Sequence, residues 1–295
     1  MNFTRIAAFA AVPIALSLAA CGGGSSGTVA NVSGNTANVR IINGDPALGG
    51  TGKVDIYFQS TGAASPSTPV VSNLSYAVAS DYLTQPAVAT SIIVQTAGGQ
   101  PPSVAPAGQL TSCPVPQLSI NAKYSIVIVS SGGAPNCELF QDFDYTGAPQ
   151  YRAHDAAHTG TLATSAGFGT IPAAGSPPGT PFTVQTTGTQ GVLSASGSGS
   201  ATSFTPAQPQ SIPSFSGSIT FAVGAGTSGT TPALATLDSR FVFSPNGLTQ
   251  PNTTGALNFT GTAGTSIFAL DCTASPAPNV PCTGGVALVG YTDRL

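Results

Sequence analysis

Glu138, Asp142, Asp144, Arg152, Asp155 and both histidines of the chain, His154 and His158, fall inside one stretch, CELFQDFDYTGAPQYRAHDAAHTG (137–160). Charged residues make up only 6% of the sequence, so this gathering departs from its surroundings. Two chemistries suit the residue types. Histidines at i and i+4 face one side of a helical turn, so His154 and His158 could chelate a divalent cation, with Asp142 or Asp144 completing the set. Asp142 and Asp144 alternate along a strand and share a face, which makes them candidates for a glycoside hydrolase pair, whose carboxylates sit roughly 5 to 9.5 Å apart. Against the first, Asp155 and Ala156 follow His154, so the His-Glu-x-x-His order of zinc proteases is missing, and Gly147, Pro149 and Gly160 mark a loop. Against the second, Trp is absent, leaving only Tyr and Phe to stack on a sugar. The plainer reading is that these residues hydrogen-bond at the join of two domains. No catalytic residue, metal site or cofactor is assigned on it. A metal-dependent or carbohydrate-active enzyme using Asp142, Asp144, His154 and His158 is the alternative.

Two other pattern matches dissolve on inspection. GAGTSG (224–229) fits a dinucleotide-binding fingerprint, but Pro232 and the following ALATL supply no helix start, which that fingerprint needs. GGSSG (23–27) fits a nucleophile elbow, yet it lies in a Gly/Ser tether with no strand or helix beside it. At 36 glycines, such matches reflect composition.

The cysteines carry more. There are 5, so one cannot pair within the chain. The opening MNFTRIAAFAAVPIALSLAAC has one positive residue, Arg5, then an uncharged run to Ala20, the layout of a secretory signal too short to span a bilayer. Its end, Leu18-Ala19-Ala20-Cys21, resembles the lipobox of bacterial lipoproteins. That resemblance implies a diacylglycerol thioether on Cys21, cleavage before it and an acyl chain on its new amine; two or three chains hold a protein durably on a membrane. Gly22 and Gly23 after the anchor imply, again by resemblance, the outer membrane of a Gram-negative envelope. Residues 1–20 then read as signal peptide and 21–37 as a Gly/Ser-rich tether. Setting Cys21 aside leaves an even set, Cys113, Cys137, Cys272 and Cys282, suited to an oxidising compartment. Four cysteines allow three pairings; Cys113–Cys137 and Cys272–Cys282, one in each half, are the pairings expected, and no Cys-x-x-Cys spacing points to a redox pair.

The elements that must position these residues are strands. With 25 Pro and 36 Gly punctuating β-branched runs, the composition suits strands and turns. NVRIIN (38–43), KVDIYF (53–58), TSIIVQT (90–96), KYSIVIVS (123–130) and CELFQDF (137–143) are the clearest in the first half. PFTVQTT (181–187), GSITFAV (217–223), SRFVFS (239–244), GALNFTGT (255–262), SIFALDC (266–272) and GGVALVGYT (284–292) follow in the second. KVDIYF alternates as a strand with one buried face, whereas SIVIV is apolar on both faces and belongs inside a sheet. The expected fold is all-β, two tandem antiparallel sandwiches of immunoglobulin-like style. The expected boundaries are 38–148 for the first domain, 149–181 for a connecting segment and 182–295 for the second. A net charge of -3 and no adjacent basic residues argue against nucleic acid as a partner.

VRIINGDP (39–46), VDIYF (54–58) and YAVASDYLTQPA (76–87) resemble, in order and spacing, the opening of the bacterial family catalogued as domain of unknown function 4397. The resemblance covers about 38–145; Asn43 stands where that family often has His, and Val88 where it usually has Gly. QYRAHDAAHTG (150–160) is a faint second echo. The family implies secreted or envelope-attached β-sandwich modules, often in tandem, and supplies no catalytic residues. The function expected is therefore a lipid-anchored envelope protein whose sandwiches bind or scaffold an envelope or extracellular ligand, with membrane lipid as the partner of Cys21.

Overall fold

The computed structural model describes residues 34–48, 52–104, 108–131, 134–142, 150–158, 162, 166–193, 208–212, 218–242, 264–276 and 280–293. Cys21, Asp144 and the strand expected over 255–262 lie outside them. The first half forms β1 (Thr36–Asn43), β2 (Lys53–Ser60), β3 (Val71–Ser75), β4 (Leu83–Pro86), β5 (Thr90–Thr96), β6 (Gln109–Val115), β7 (Lys123–Ser131) and β8 (Ala134–Asp142). The second forms β9 (Gln150–Ala156), β10 (Gly167–Ile171), β11 (Pro181–Thr183), β12 (Thr186–Thr187), β13 (Thr189–Gln190), β14 (Val192–Leu193) and β15 (Gln210–Ser211). It continues with β16 (Thr220–Gly224), β17 (Thr230–Pro232), β18 (Ala235–Asp238), β19 (Thr265–Asp271), β20 (Cys282–Thr283) and β21 (Val286–Thr292). The protein is all-β, built of stacked, mainly antiparallel sheets.

Both halves have one topology. In each, the opening strand pairs in parallel with a later one (β1 with β7, β9 with β19), which pairs antiparallel with the closing strand (β8, β21). A short antiparallel strand borders the opening strand on its other side, β4 on β1 and β15 on β9. The opposing sheets run β3-β2-β5-β6 and β12-β10-β16-β18, so they match strand for strand. The register matches too: Arg40 lies opposite Ser125, and Arg152 opposite Ser266. Ser125 in turn faces Phe140, and Ser266 faces Tyr291. Thus YRAHD (151–155) occupies in the second sandwich the place of VRIIN (39–43) in the first.

Alternation along each strand sends one set of side chains into its own sandwich and the other toward the neighbouring one. Val39, Ile41, Ile56, Val94, Ile126 and Ile128 fill the first interior. Tyr151, Phe168, Phe221, Leu237 and Ile267 fill the second, and Ile42, Val127, Val129 and Phe140 pack into that same cluster from the first half. The two inner sheets, around β1/β7 and β9/β19, therefore lie face to face, and each is buried on both sides. Cys113 on β6 and Cys137 on β8 form a disulfide with Cα atoms 5.8 Å apart, joining the two sheets of the first sandwich. Cys272, just past β19, is bonded to Cys282 on β20, with a Cα separation of 5.9 Å.

Three details differ from the sequence reading. Residues 150–156, assigned to a connecting segment, are the strand β9, and 167–171 are β10. Burial of both faces of β9 leaves no alternation to read. SRFVFS gives a short 3-10 turn at Ser239–Phe241, because the Asp238 side chain accepts from the Arg240 N–H and caps it. In KVDIYF the face expected to be solvated is covered: Asp55 and Tyr57 are buried, with Asp55 accepting from the Asn73 and Gly98 amides.

Candidate functional site

The candidate residues meet in a polar layer between the two inner sheets. Arg40 points out of β1 into this layer, where it is 2% exposed. Its Nη1 lies 2.8 Å from Asp293 Oδ1, across in the other sandwich, and its Nε–H donates to Ser125 Oγ at 2.6 Å. Ser125 donates to Asp142 Oδ2 at 2.6 Å, and the Tyr82 hydroxyl donates to the same oxygen at 2.9 Å. In the second sandwich, Ser266 donates to both oxygens of Asp293, at 3.0 and 2.8 Å. The arrangement is built twice: an Arg, a Ser opposite it, and an Asp two residues beyond the Ser's cross-strand partner. Arg40 then crosses from its own copy to the aspartate of the other. Burial disfavours the Arg40 charge, but Tyr82, Asp293 and Asp142 outweigh it and hold the guanidinium protonated.

His154 occupies the place that Ile42 has in the first copy, and it behaves as an aromatic filler. Its ring stacks on Phe268 at 4.5 Å and meets the edge of Phe140 at 5.0 Å. Among the described residues neither ring nitrogen has a hydrogen-bond partner, and Asp142 Oδ1 is 3.8 Å from Nε2. Burial foremost, then Arg40, pushes its pKa down to about 3. The folded state therefore holds it neutral, whereas the unfolded chain protonates it near pH 6.5; this contribution to stability is present above that pH and is lost as the pH falls toward 3. His154→Phe is expected to raise stability by about 1 kcal/mol, since an unsatisfied buried polar group is removed, and to flatten the acid limb of stability against pH. Urea unfolding from pH 4 to 8 checks both.

His158 lies elsewhere, just beyond the end of β9. Its Nε2 is 2.9 Å from Glu138 Oε1, and its amide donates to both Asp271 oxygens at 3.0 and 3.1 Å. Glu138 and Asp142 are four residues apart on β8, roughly 13 Å along a strand. The two histidines thus sit against different carboxylates. The helical turn that would bring them together is replaced by strand, and among the described residues no three His, Cys, Asp or Glu side chains are grouped to hold a metal ion. The hydrogen bond its ring donates to the Glu138 carboxylate is the main reason the His158 pKa is raised.

Beside Glu138 lies Asp155, the counterpart of Asn43. Each side chain accepts from the amide two residues on, Asp45 for Asn43 and Ala157 for Asp155. Asn43 also donates to the Gly52 and Leu74 carbonyls, whereas Asp155 accepts from Gln190 Nε2 at 2.6 Å. Gln190 belongs to a strap that lays β13 on β9 and β14 on β8, tying the edges of the inner sheets together. Gly188 and Gly191 let it pass: a Cβ there would come within 2.8 Å of Asp155 Cβ and 2.6 Å of Glu138 Cβ. Burial lifts the Asp155 pKa to about 7, against the favourable bonds from Ala157 and Gln190. The folded value lies above the unfolded 3.8, so stability present at low pH is lost as the pH rises through about 7. Asp155→Asn is expected to stabilise the protein at pH 8 by on the order of 2 kcal/mol and to have little effect at pH 4. Thermal unfolding at the two pH values reads this directly.

Asp142 and His154 are therefore brought together in the interior, His158 is placed at the rim, and Asp144 and Cys21 lie outside the described residues. Arg40, Ser125, Tyr82 and Asp293 complete the layer without having been singled out in the sequence; a lone charge inside the apolar run VRIIN was the available signal. The fold and the layer define a class: a tandem all-β sandwich protein whose halves are joined by a buried ionic layer. The chain matches no family model, and no curated protein matches it in sequence.

Proposed function

We propose that this is a lipid-anchored protein of the cell envelope whose paired β-sandwiches bind or scaffold an envelope or extracellular partner. The observation that supports it is cysteine parity: Cys113–Cys137 and Cys272–Cys282 are joined, so Cys21 is the one thiol left over, and it closes a lipobox-like sequence. Disulfides persist in oxidising compartments, and a thiol acylated at the head of a Gly/Ser tether fits a body held outside the cytosol. The resemblance of 38–145 to domain of unknown function 4397 points the same way. Acyl chains would hold the protein down, the tether would give reach, and the loops of a stack stiffened by disulfides and buried ion pairs would make the contacts.

The side chains best suited to acid–base chemistry support this reading over an enzymatic one. Asp142 is engaged by Ser125 and Tyr82, and His154 is buried, neutral and packed between phenylalanines. Groups so enclosed serve cohesion between the sandwiches. The test is Cys21→Ser in the expressing bacterium. The expected result is transfer of the protein from the membrane fraction to the soluble periplasmic or secreted fraction, with its thermal stability unchanged. Retention of the variant in the membrane fraction would count against the anchor.

A further inference from the structure

The end of the first sandwich at which the chain enters has an unusual surface. The Ala87 amide donates to the Asn35 carbonyl at 2.9 Å, and the Asn121 amide donates to Thr36 at 2.7 Å. The Thr61 amide reaches Ala89 at 3.4 Å. The connections 86–90 and 116–122 and the turn after β2 are thereby gathered around the entry point. Among the described residues, the exposed large hydrophobics are Val88, Val104 and Ile120, at 41, 67 and 48% exposure. Val88 and Ile120 both stand at this end, on either side of residues 35 and 36. No Asp, Glu, Lys, Arg or His occurs in 34–36, 59–63, 86–91 or 115–122.

The second sandwich faces the same way. Arg40 meets Asp293, and a Cβ on Gly44, just past β1, would come within 3.2 Å of Leu270 on β19. Since β19 runs parallel to β9, β1 and β9 start at one end of the stack. The tether reaching this end, Gly22 to Gly34, is 13 residues long. Such a segment can span at most about 45 Å.

We propose that this entry end, with Val88 and Ile120 at its tip, rests on the surface of the bilayer that holds the acyl chains, so that the protein stands on the membrane in a fixed orientation. The inference rests on Cys21 carrying lipid. A short tether makes the membrane the surface most often met by whatever surrounds residue 35, because linking raises effective concentration. The described connections 86–90 and 116–122 carry no charged side chain and so have little hydration to lose on entering the headgroup region, and two aliphatic side chains gain by leaving water. Neither contact would hold a free protein to lipid; with the anchor in place they need only select one face.

The test uses the lipidated full chain in phosphatidylethanolamine/phosphatidylglycerol vesicles, with single labelling sites Val88→Cys, Ile120→Cys and, as a control, Val104→Cys in the β5–β6 connection. Each new thiol carries a bimane fluorophore, quenched from the bilayer by nitroxide lipid or from water by iodide. The expected result is lipid-side quenching at 88 and 120 roughly threefold or more above that at 104, with the order reversed for iodide. Equal iodide access at all three sites, in protein that floats with the vesicles, would overturn the inference and leave the anchor standing. Shielding of 88 and 120 in the Cys21→Ser protein without vesicles would overturn it in favour of a second copy covering the tip. Protein that fails to float with vesicles would remove the anchor, and the inference with it.

Discussion

Arg40→Ala is expected to destabilise the protein by about 3–5 kcal/mol, the cost of leaving a buried charge without its partner. The loss has two parts. Asp293 would keep a buried carboxylate with, among the described residues, Ser266 alone to satisfy it. The guanidinium also packs over Tyr82, Phe268 and Tyr291, at 5.1, 5.7 and 5.7 Å, so a cavity would open between the sheets. Because Arg40 lies on the first sandwich and Asp293 on the second, the variant is also expected to uncouple them, turning one urea transition into two. Arg240→Ala is the control: Arg240, paired with the covered Asp238, is itself exposed, and screening by water leaves it little to lose. A change for Arg40→Ala no larger than the control's would show that the layer contributes nothing to cohesion.

The second large effect is expected from Cys113→Ala/Cys137→Ala. The disulfide closes a sequence separation of 24, for which chain entropy gives about 3 to 4 kcal/mol. The bond also links the two sheets of the first sandwich across a core in which both cysteines are buried, so its loss loosens the contact between β6 and β8. The equivalent change at Cys272 and Cys282, separated by 10, is expected to cost less, about 2.5 kcal/mol. Melting curves of the two double variants beside the parent, with and without reductant, give the comparison. Reductant, which opens both bridges, should lower the parent below either variant measured without it.

Much of the fold was legible in strand chemistry. SIVIV, apolar on both faces, is the core of β7, between β1 and β8. The pairing of each half's cysteines followed from keeping bridges local. What hid the second half's likeness to the first was the difference on both faces of its opening strand: where β1 has VRIIN, β9 has YRAHD, which reads as polar loop although every residue of it is buried. The match appears only through pairing, when Arg152 falls opposite Ser266 as Arg40 does opposite Ser125. The same cause misdirected the reading of the site. Spacing of four suggested one helical face for His154 and His158, whereas His154 lies on β9 and His158 just past its end, against different carboxylates. Arg40 and Asp293 are 253 positions apart in numbering (293 − 40), so no local pattern could announce their bond.

The measurement that bears most directly on the whole account is the intact mass of the mature amino terminus, taken from protein isolated with the membrane. The expected species begins at Cys21, lacks the preceding twenty residues, and carries a diacylglyceryl thioether with an acylated amine. An amino-terminal peptide still joined to its leader, or a Cys21 bearing a free thiol on protein recovered from solution, would contradict it.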